Sequence, residues 1–122
     1  MQKNWTHWFE IPVSNFERAK KFYETIFNTQ IEDVEFGPIR MGIFPHKETG
    51  CSLCYNEEFY QPGANGPVVY MDANPDLQTV LDKMEAAGGK IVVPKNQISP
   101  EYGYMAVFID SEGNRMALHS SN

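Results

Sequence analysis

Basic residues are scarce in this sequence: ten Lys and Arg stand against sixteen Asp and Glu, for a formal net charge of −6 over 122 residues. Affinity for nucleic acid rests on clustered Lys and Arg that neutralise phosphates, so a nucleic-acid partner is not expected. The acidic balance favours cationic small molecules instead. Long apolar runs are also lacking. No stretch approaches the roughly 18 apolar residues of a membrane helix, and the opening MQKNWTHWFE has no apolar core of the kind a signal peptide needs. The expectation is a soluble, cytoplasmic protein with no membrane partner. Cysteine is limited to Cys51 and Cys54. They make a lone CxxC on a segment that reads as a strand, where positions three apart point to opposite faces, whereas redox CxxC pairs sit at helix starts. Two structural thiols in a reducing compartment are expected. Histidine is sparse too, and His46, in the charged loop HKETG, is expected to face solvent.

What is present is an ordinary globular complement, 42% hydrophobic and 13% aromatic, in a chain long enough for one domain with a real core. Residues 8–27, WFEIPVSNFERAKKFYETIF, organise the rest. Trp8 to Val13 is rich in aromatic and β-branched residues and reads as a strand. Ser14-Asn15-Phe16-Glu17 matches a capping box, in which Ser14 caps the helix and Glu17 reaches back to the Ser14 amide. Phe16, Ala19, Phe22, Tyr23, Ile26 and Phe27 then recur at helical spacing opposite a charged face, so one face of this helix must meet a sheet. Three strand candidates follow, Gln30 to Glu35, Ile39 to Phe44 and Cys51 to Tyr55, separated by Gly37-Pro38 and by the stretch from Pro45 to Gly50. The order is βαβββ.

That order recurs about 60 residues further on, the signature of an internal duplication. Val68 to Ala73 reads as a strand, Asn74 as a helix cap, Pro75 as the first helical residue, and Leu77, Val80, Leu81, Met84 and Ala87 as an apolar face that ends at Gly88-Gly89. Lys90 to Val93, Tyr104 to Asp110 and Arg115 to His119 supply three more strands, with a turn at residues 111–114. The division expected is one domain, with a first module over 1–57, a linker over 58–66 and a second module over 67–122. Neither half is large enough to be stable alone.

FEIPVSNFERAKKFYETIF in the first module and GYMAVFIDSEGNRMALHS in the second resemble the glyoxalase, bleomycin-resistance and extradiol-dioxygenase superfamily, the vicinal oxygen chelate proteins. The likeness covers nearly the whole chain. The second segment is similar to the family's frequent pattern of an apolar strand, Asp-Pro-Asp/Glu-Gly-Asn and a final strand, with Ser111 where proline is commoner. The resemblance implies an α+β fold in which two βαβββ modules form an open, cup-like barrel, usually in a homodimer, with the site on the concave face. Fold does not fix function in such a family.

The family's enzymes hold a divalent metal in the cup through His, Gln or Glu on the first and last strands of each module. The positions here are Trp8, Ser52, Pro67 and Ala117, which lack the imidazole, carboxylate or thiolate donors that transition metals take. A one-residue slip would bring in His7, at the cost of the strand alternation. No metal and no cofactor are expected. Period-two alternation puts Glu10, Cys54, Val69, Met71 and His119 on the same lining as Trp8 and Ala117. Glu10 and His119 are the candidate catalytic pair, since imidazole titrates near neutrality and a carboxylate can orient it. The bland alternative makes Glu10 an interface ion-pair residue and His119 a solvated tail residue. Trp8, Tyr102, Tyr104 and Phe108 would supply aromatic contact to a planar or cationic ligand, where ordinary core packing is the competing reading. Two functions stay open: a metal-free protein that binds a small organic ligand, and a lyase, isomerase or dioxygenase-like enzyme acting on a small carbonyl or vicinal-oxygen substrate, with metal or through Glu10 and His119.

Overall fold

A computed structural model of the chain describes residues 2–122. Met1, which the first module's range includes, lies outside the described residues. The elements run β1 (Trp8–Pro12), α1 (Phe16–Phe27), β2 (Glu32–Phe36), β3 (Ile39–Ile43), β4 (Gly50–Tyr55), β5 (Tyr70–Asp72), α2 (Gln78–Ala87), β6 (Lys90–Ser99), β7 (Gly103–Ile109) and β8 (Arg115–Ser120). They make two four-stranded mixed sheets of matching topology, β1-β4-β3-β2 and β5-β8-β7-β6, with no closed barrel. In each sheet the first strand of the module pairs in parallel with its last, and the other neighbours are antiparallel. The fold is α+β and twice βαβββ, as the repeat predicts.

The helical spacing of α1 is obeyed: Phe16, Ala19, Phe22, Tyr23 and Ile26 are buried against the sheet. Its start differs from the expected capping box. Asn15 is the N-cap, accepting from the Arg18 amide at 3.1 Å. The Ser14 amide donates to Glu112 of the second module, and Glu17 pairs with Arg40. A carboxylate 98 residues away has taken the place assigned to a local one.

In the second module Asn74-Pro75 precedes α2 instead of opening it, and the bond between them is cis. The helix starts at Gln78, after a turn in which Ser120 Oγ accepts the Leu77 amide at 3.0 Å and Asp76 accepts the Gln78 amide at 2.9 Å. Its end is as expected: Gly88 closes it at φ +109°, a left-handed conformation glycine adopts without a Cβ penalty. Strand β6 runs six residues past the expected Val93, to Ser99. Pro94 does not end it because β6 is an edge strand, where a missing amide breaks no ladder, and its pairing with β7 slips on either side of the proline.

Both helices pack on the same side of the molecule, so the two modules share one core. The cluster of buried side chains is continuous from Ile11 and Phe22 to Met84, Phe108 and Leu118, with the Phe22 and Phe108 rings 6.3 Å apart. Among the described residues no helix covers the opposite face of either sheet.

Candidate functional site

The faces away from the helices follow from the ladders. In β1, Ile11 is buried in the core while Trp8 and Glu10 point the other way and are exposed. In β4, paired beside it, Ser52 lies opposite Glu10 and Cys54 opposite Pro12. These side chains meet. The Trp8 indole N–H donates to Ser52 Oγ at 3.2 Å, Ser52 Oγ lies 3.4 Å from Cys54 Sγ, and the Tyr60 hydroxyl, from the segment after β4, donates to Glu10 at 2.9 Å. His46 sets its ring edge-on to Trp8 at 4.9 Å, and Gly50, the ladder partner of Trp8, leaves it room: a Cβ there would sit 2.5 Å from the His46 ring. His46 is exposed, as expected, but it is part of the aromatic wall around Trp8.

On the second sheet, Tyr70 lies opposite Ala117 and Asp72 opposite His119, and on the other side of β8 these two face Val107 and Met105. Tyr70 is 52% exposed. His119 Nε2 is held by the backbone carbonyl of Tyr102, which makes Nε2–H the donor and leaves Nδ1 without a hydrogen-bond partner among the described residues.

The residues singled out from the sequence therefore divide. Trp8, Glu10, Ser52 and Cys54 come together on the helix-free face of the first sheet. Ala117 and His119 lie on that of the second. Glu10 finds its partner in Tyr60, and among the described residues no hydrogen bond joins it to His119. Tyr102, 69% exposed, lies in the turn before β7 and reaches His119 through its carbonyl. Met71 and Phe108 are core residues, and Val69 and Tyr104 pack against the core. The reason is one of register. The Val13 amide bonds to Cys54 and, equivalently, the Ala73 amide bonds to His119, so the counterpart of Trp8 is Val68 and not Pro67. A slip of one residue turned every β5 side chain to the wrong face. The signal was available in Tyr70-Met71-Asp72-Ala73, whose buried members, Met71 and Ala73, alternate with exposed ones. Tyr104 and Phe108, named for their rings and not by alternation, follow the competing reading of core packing, while Met105 and Val107 are the β7 residues paired with His119 and Ala117. Tyr60 gave no such signal, because it sits outside any periodic segment.

The strand positions where related enzymes carry metal ligands test whether a divalent metal would fit. Trp8 offers an N–H donor already committed to Ser52, the Ser52 oxygen accepts that bond, and Val68 and Ala117 have no donor atom. Among the described residues no three His, Cys, Asp or Glu side chains converge on one point. This donor set does not fit a metal. Cys51 lies in the core and Cys54 on the opposite face of β4, so the CxxC is split by the strand; both thiols are free. Burial pushes the Cys51 thiol up to about 12 and the Cys54 thiol up to about 11.

The DSEGN segment, read from the sequence as a turn and as part of the family's pattern, ties the modules together. Asp110, buried, accepts from the Tyr23 hydroxyl at 2.6 Å and from the amides of Glu112 and Asn114. The Asn114 side chain donates to the Pro12 carbonyl at 2.8 Å and accepts the Gly63 amide at 2.9 Å. Glu112 receives the amides of Ser14 and Asn15 and the guanidinium of Arg18. Burial pushes its pKa up, but the bonds from Arg18, Asn15, Ser111 and Ser14 outweigh that and hold it at about 2. The latch fixes β1, and with it Trp8 and Glu10, against the second module.

Two cavities lie where β1 meets the second module. One, of about 480 Å³, has an apolar floor of Phe9, Phe27, Phe44 and Met71 and a rim that includes His46, Tyr70 and Asp72. The other, of about 340 Å³, lies beneath residues 61–67 and is lined by Glu10 and Arg115 among others.

Residues 5–118 match the family model described as Glyoxalase/Bleomycin resistance protein/Dioxygenase superfamily. Among solved structures, the chain is similar to a glyoxalase/bleomycin resistance protein from Albidiferax ferrireducens T118, with 17% identity over 96% of this chain and 98% of that one and a TM-score of 0.74. It is similar to a glyoxalase/bleomycin resistance protein from Streptomyces sp. CB03234, with 24% identity, 94% and 99% coverage and a TM-score of 0.72. TnmS3, an antibiotic binding protein of that same Streptomyces, shares 24% identity over 100% of this chain and 99% of that one, with a TM-score of 0.70. A search of curated protein sequences finds no significant match.

Proposed function

The chain belongs to the glyoxalase/bleomycin resistance protein/dioxygenase superfamily, and within it we propose a binding protein that takes a small organic ligand on the helix-free face of its first sheet without a metal. The observation that carries this reading is the Trp8–Ser52 pair. Where a metal enzyme needs a donor atom, this chain has an indole whose N–H is tied down, leaving the ring face, 37% of the residue exposed, for contact. A fixed aromatic face loses little side-chain freedom when a planar group stacks on it, and a cation gains from the ring quadrupole. Glu10 beside it supplies the charge that selects a cation, with Tyr60 holding one carboxylate oxygen. His46 and the aromatic floor of the larger cavity extend the apolar surface. The similarity to an antibiotic binding protein supports a binding role of this kind.

We place the working form as a cytoplasmic homodimer. The helix-free faces carry Trp8, Tyr70 and Tyr102, each more than a third exposed, and a second copy would cover them and complete a concave site. The cytoplasmic reading is supported by two cysteines that remain unpaired.

The alternative is an enzyme with Glu10 and His119 as acid and base. Its supporting observation is the Nδ1 of His119, which has no hydrogen-bond partner among the described residues, but each member of the pair is engaged elsewhere, so the binding reading is preferred. Metal loading separates these from the family's usual chemistry. After incubation with zinc, nickel, manganese or iron and dialysis, the protein should retain far less than one metal per chain. About one tightly held metal per chain would overturn the reading.

A further inference from the structure

His46 has a part in the Trp8 site that apolar contact does not exhaust. It lies in the loop between β3 and β4, exposed, and three contacts orient its ring. Nδ1 is 2.8 Å from the Phe44 carbonyl oxygen. Gly50 passes so close that a Cβ there would stand 2.5 Å from Cγ of the imidazole and 2.9 Å from Nδ1. The indole of Trp8 is 4.9 Å away between centroids, at an interplanar angle of 84°. A carbonyl oxygen only accepts, so Nδ1 carries the hydrogen and, in the neutral ring, Nε2 is the acceptor. Among the described residues Nε2 has no hydrogen-bond partner.

A fixed acceptor thus stands beside a fixed aromatic ring. Ser52 holds the Trp8 N–H at 3.2 Å and Phe44 holds the His46 N–H, so little side-chain freedom remains to be lost on binding. The angle between the two rings divides their roles. A planar group lying parallel to the indole cannot stack on His46 as well, and what the imidazole offers such a group is its lone pair. His46 also borders the larger cavity, whose described lining includes Asp72 and no Lys or Arg, a setting that favours a donor carrying positive charge.

We infer that His46 is a specificity-determining residue of this site: Nε2 accepts an N–H of the ligand, so the preferred ligands are planar cations with amino or amidino N–H donors, over cations of similar size that have no N–H. This rests on Trp8 as the stacking surface and adds a requirement that stacking does not make. A ring face discriminates by area and charge, whereas an oriented acceptor discriminates by the presence of a hydrogen. An N–H on a cation makes the stronger, charge-assisted bond, and losing its partner costs about tenfold or more in affinity.

The test titrates the full chain with two tricyclic planar cations, proflavine, which has amino N–H groups, and methylene blue, which has none, at about pH 8, where imidazole is ordinarily neutral. His46→Phe keeps an aromatic ring against Trp8 and removes the acceptor. It should weaken proflavine by about tenfold and leave methylene blue within about twofold of its wild-type affinity. Trp8→Ala should weaken both dyes. NMR of the wild-type imidazole nitrogens gives a reading that needs no variant: proflavine should shift Nε2 toward its hydrogen-bonded position, and methylene blue should not. The inference is overturned if folded His46→Phe weakens the two dyes equally or weakens neither, or if proflavine leaves the Nε2 resonance in place. Either result together with loss of both dyes in Trp8→Ala would leave the stacking surface standing without the acceptor, whereas no binding of either dye to the wild type would remove both.

Discussion

Glu112 Oε1 accepts the backbone amide of Asn15 at 2.7 Å, so the first helix of one module is capped by a turn of the other, 97 residues away. A carboxylate at a helix N-terminus answers both the orphan amides and the positive end of the helix dipole. Here it also aligns β1, the strand that carries Trp8 and Glu10, with the second sheet.

Replacing Glu112 by Gln should therefore destabilise the whole chain by about 2–3 kcal/mol, the scale for leaving charged or buried hydrogen-bonding groups partly unpaired. Because the two modules share a core, the loss should appear as one cooperative transition at lower denaturant. A variant as stable as the wild type in urea would contradict the capping role.

The same carboxylate sets an acid dependence. Its folded-state value is held at about 2, below the ordinary 4.5. A depressed carboxylate contributes stability that is fully present above its unfolded value and lost as pH falls toward the folded one. Stability should thus fall between about pH 5 and pH 2, and Glu112→Gln should flatten that fall measurably. Urea midpoints across this window in the two proteins check the sign.

Tyr23→Phe removes the hydroxyl that Asp110 accepts at 2.6 Å in a fully buried site. The cost should be about 1–3 kcal/mol, because the Asp110 carboxylate stays buried with one donor fewer. Near-zero change in thermal stability would show the bond to be dispensable.

The two thiols should be inert in the folded protein. Cys51 lies in the core, Cys54 beneath the Trp8–Ser52 pair, and burial raises both values well above neutrality. Reaction with a disulfide reagent at pH 7 should follow unfolding; a fast phase from one thiol in native buffer would refute this placement.

At micromolar concentration light scattering should give twice the chain mass of 13.9 kDa. A monomer would leave the helix-free faces uncovered and remove the dimer from the account.

Much of the fold was legible because the periodic signals are strong. Phe16 to Ile26 repeats at helical spacing, and the βαβββ order repeats with it. What was not legible depended on long-range partners. Nothing local to Ser14 announces Glu112, and nothing in Asn74-Pro75 announces that Ser120 and Asp76 will start α2 at Gln78. The site was half legible for the same reason. Trp8, Glu10 and Ser52 follow from alternation along well-bounded strands, whereas in the three-residue β5 the alternation of Tyr70, Met71 and Asp72 has to be read in the right phase, and a one-residue slip gives Val69 and Met71 the face that belongs to Tyr70 and Asp72. Tyr60 required the path of the connecting segment, which has no period to read.

The most direct test of the account is a fluorescence titration with proflavine, a planar aromatic cation, in EDTA and about 150 mM salt to screen the acidic surface. Wild-type protein should bind it saturably without metal. Trp8→Ala, shown folded by circular dichroism, should weaken binding by about 1–3 kcal/mol, or roughly 5- to 150-fold, through lost stacking. Equal affinity in the two proteins, or binding that appears only when a divalent metal is added, would contradict it.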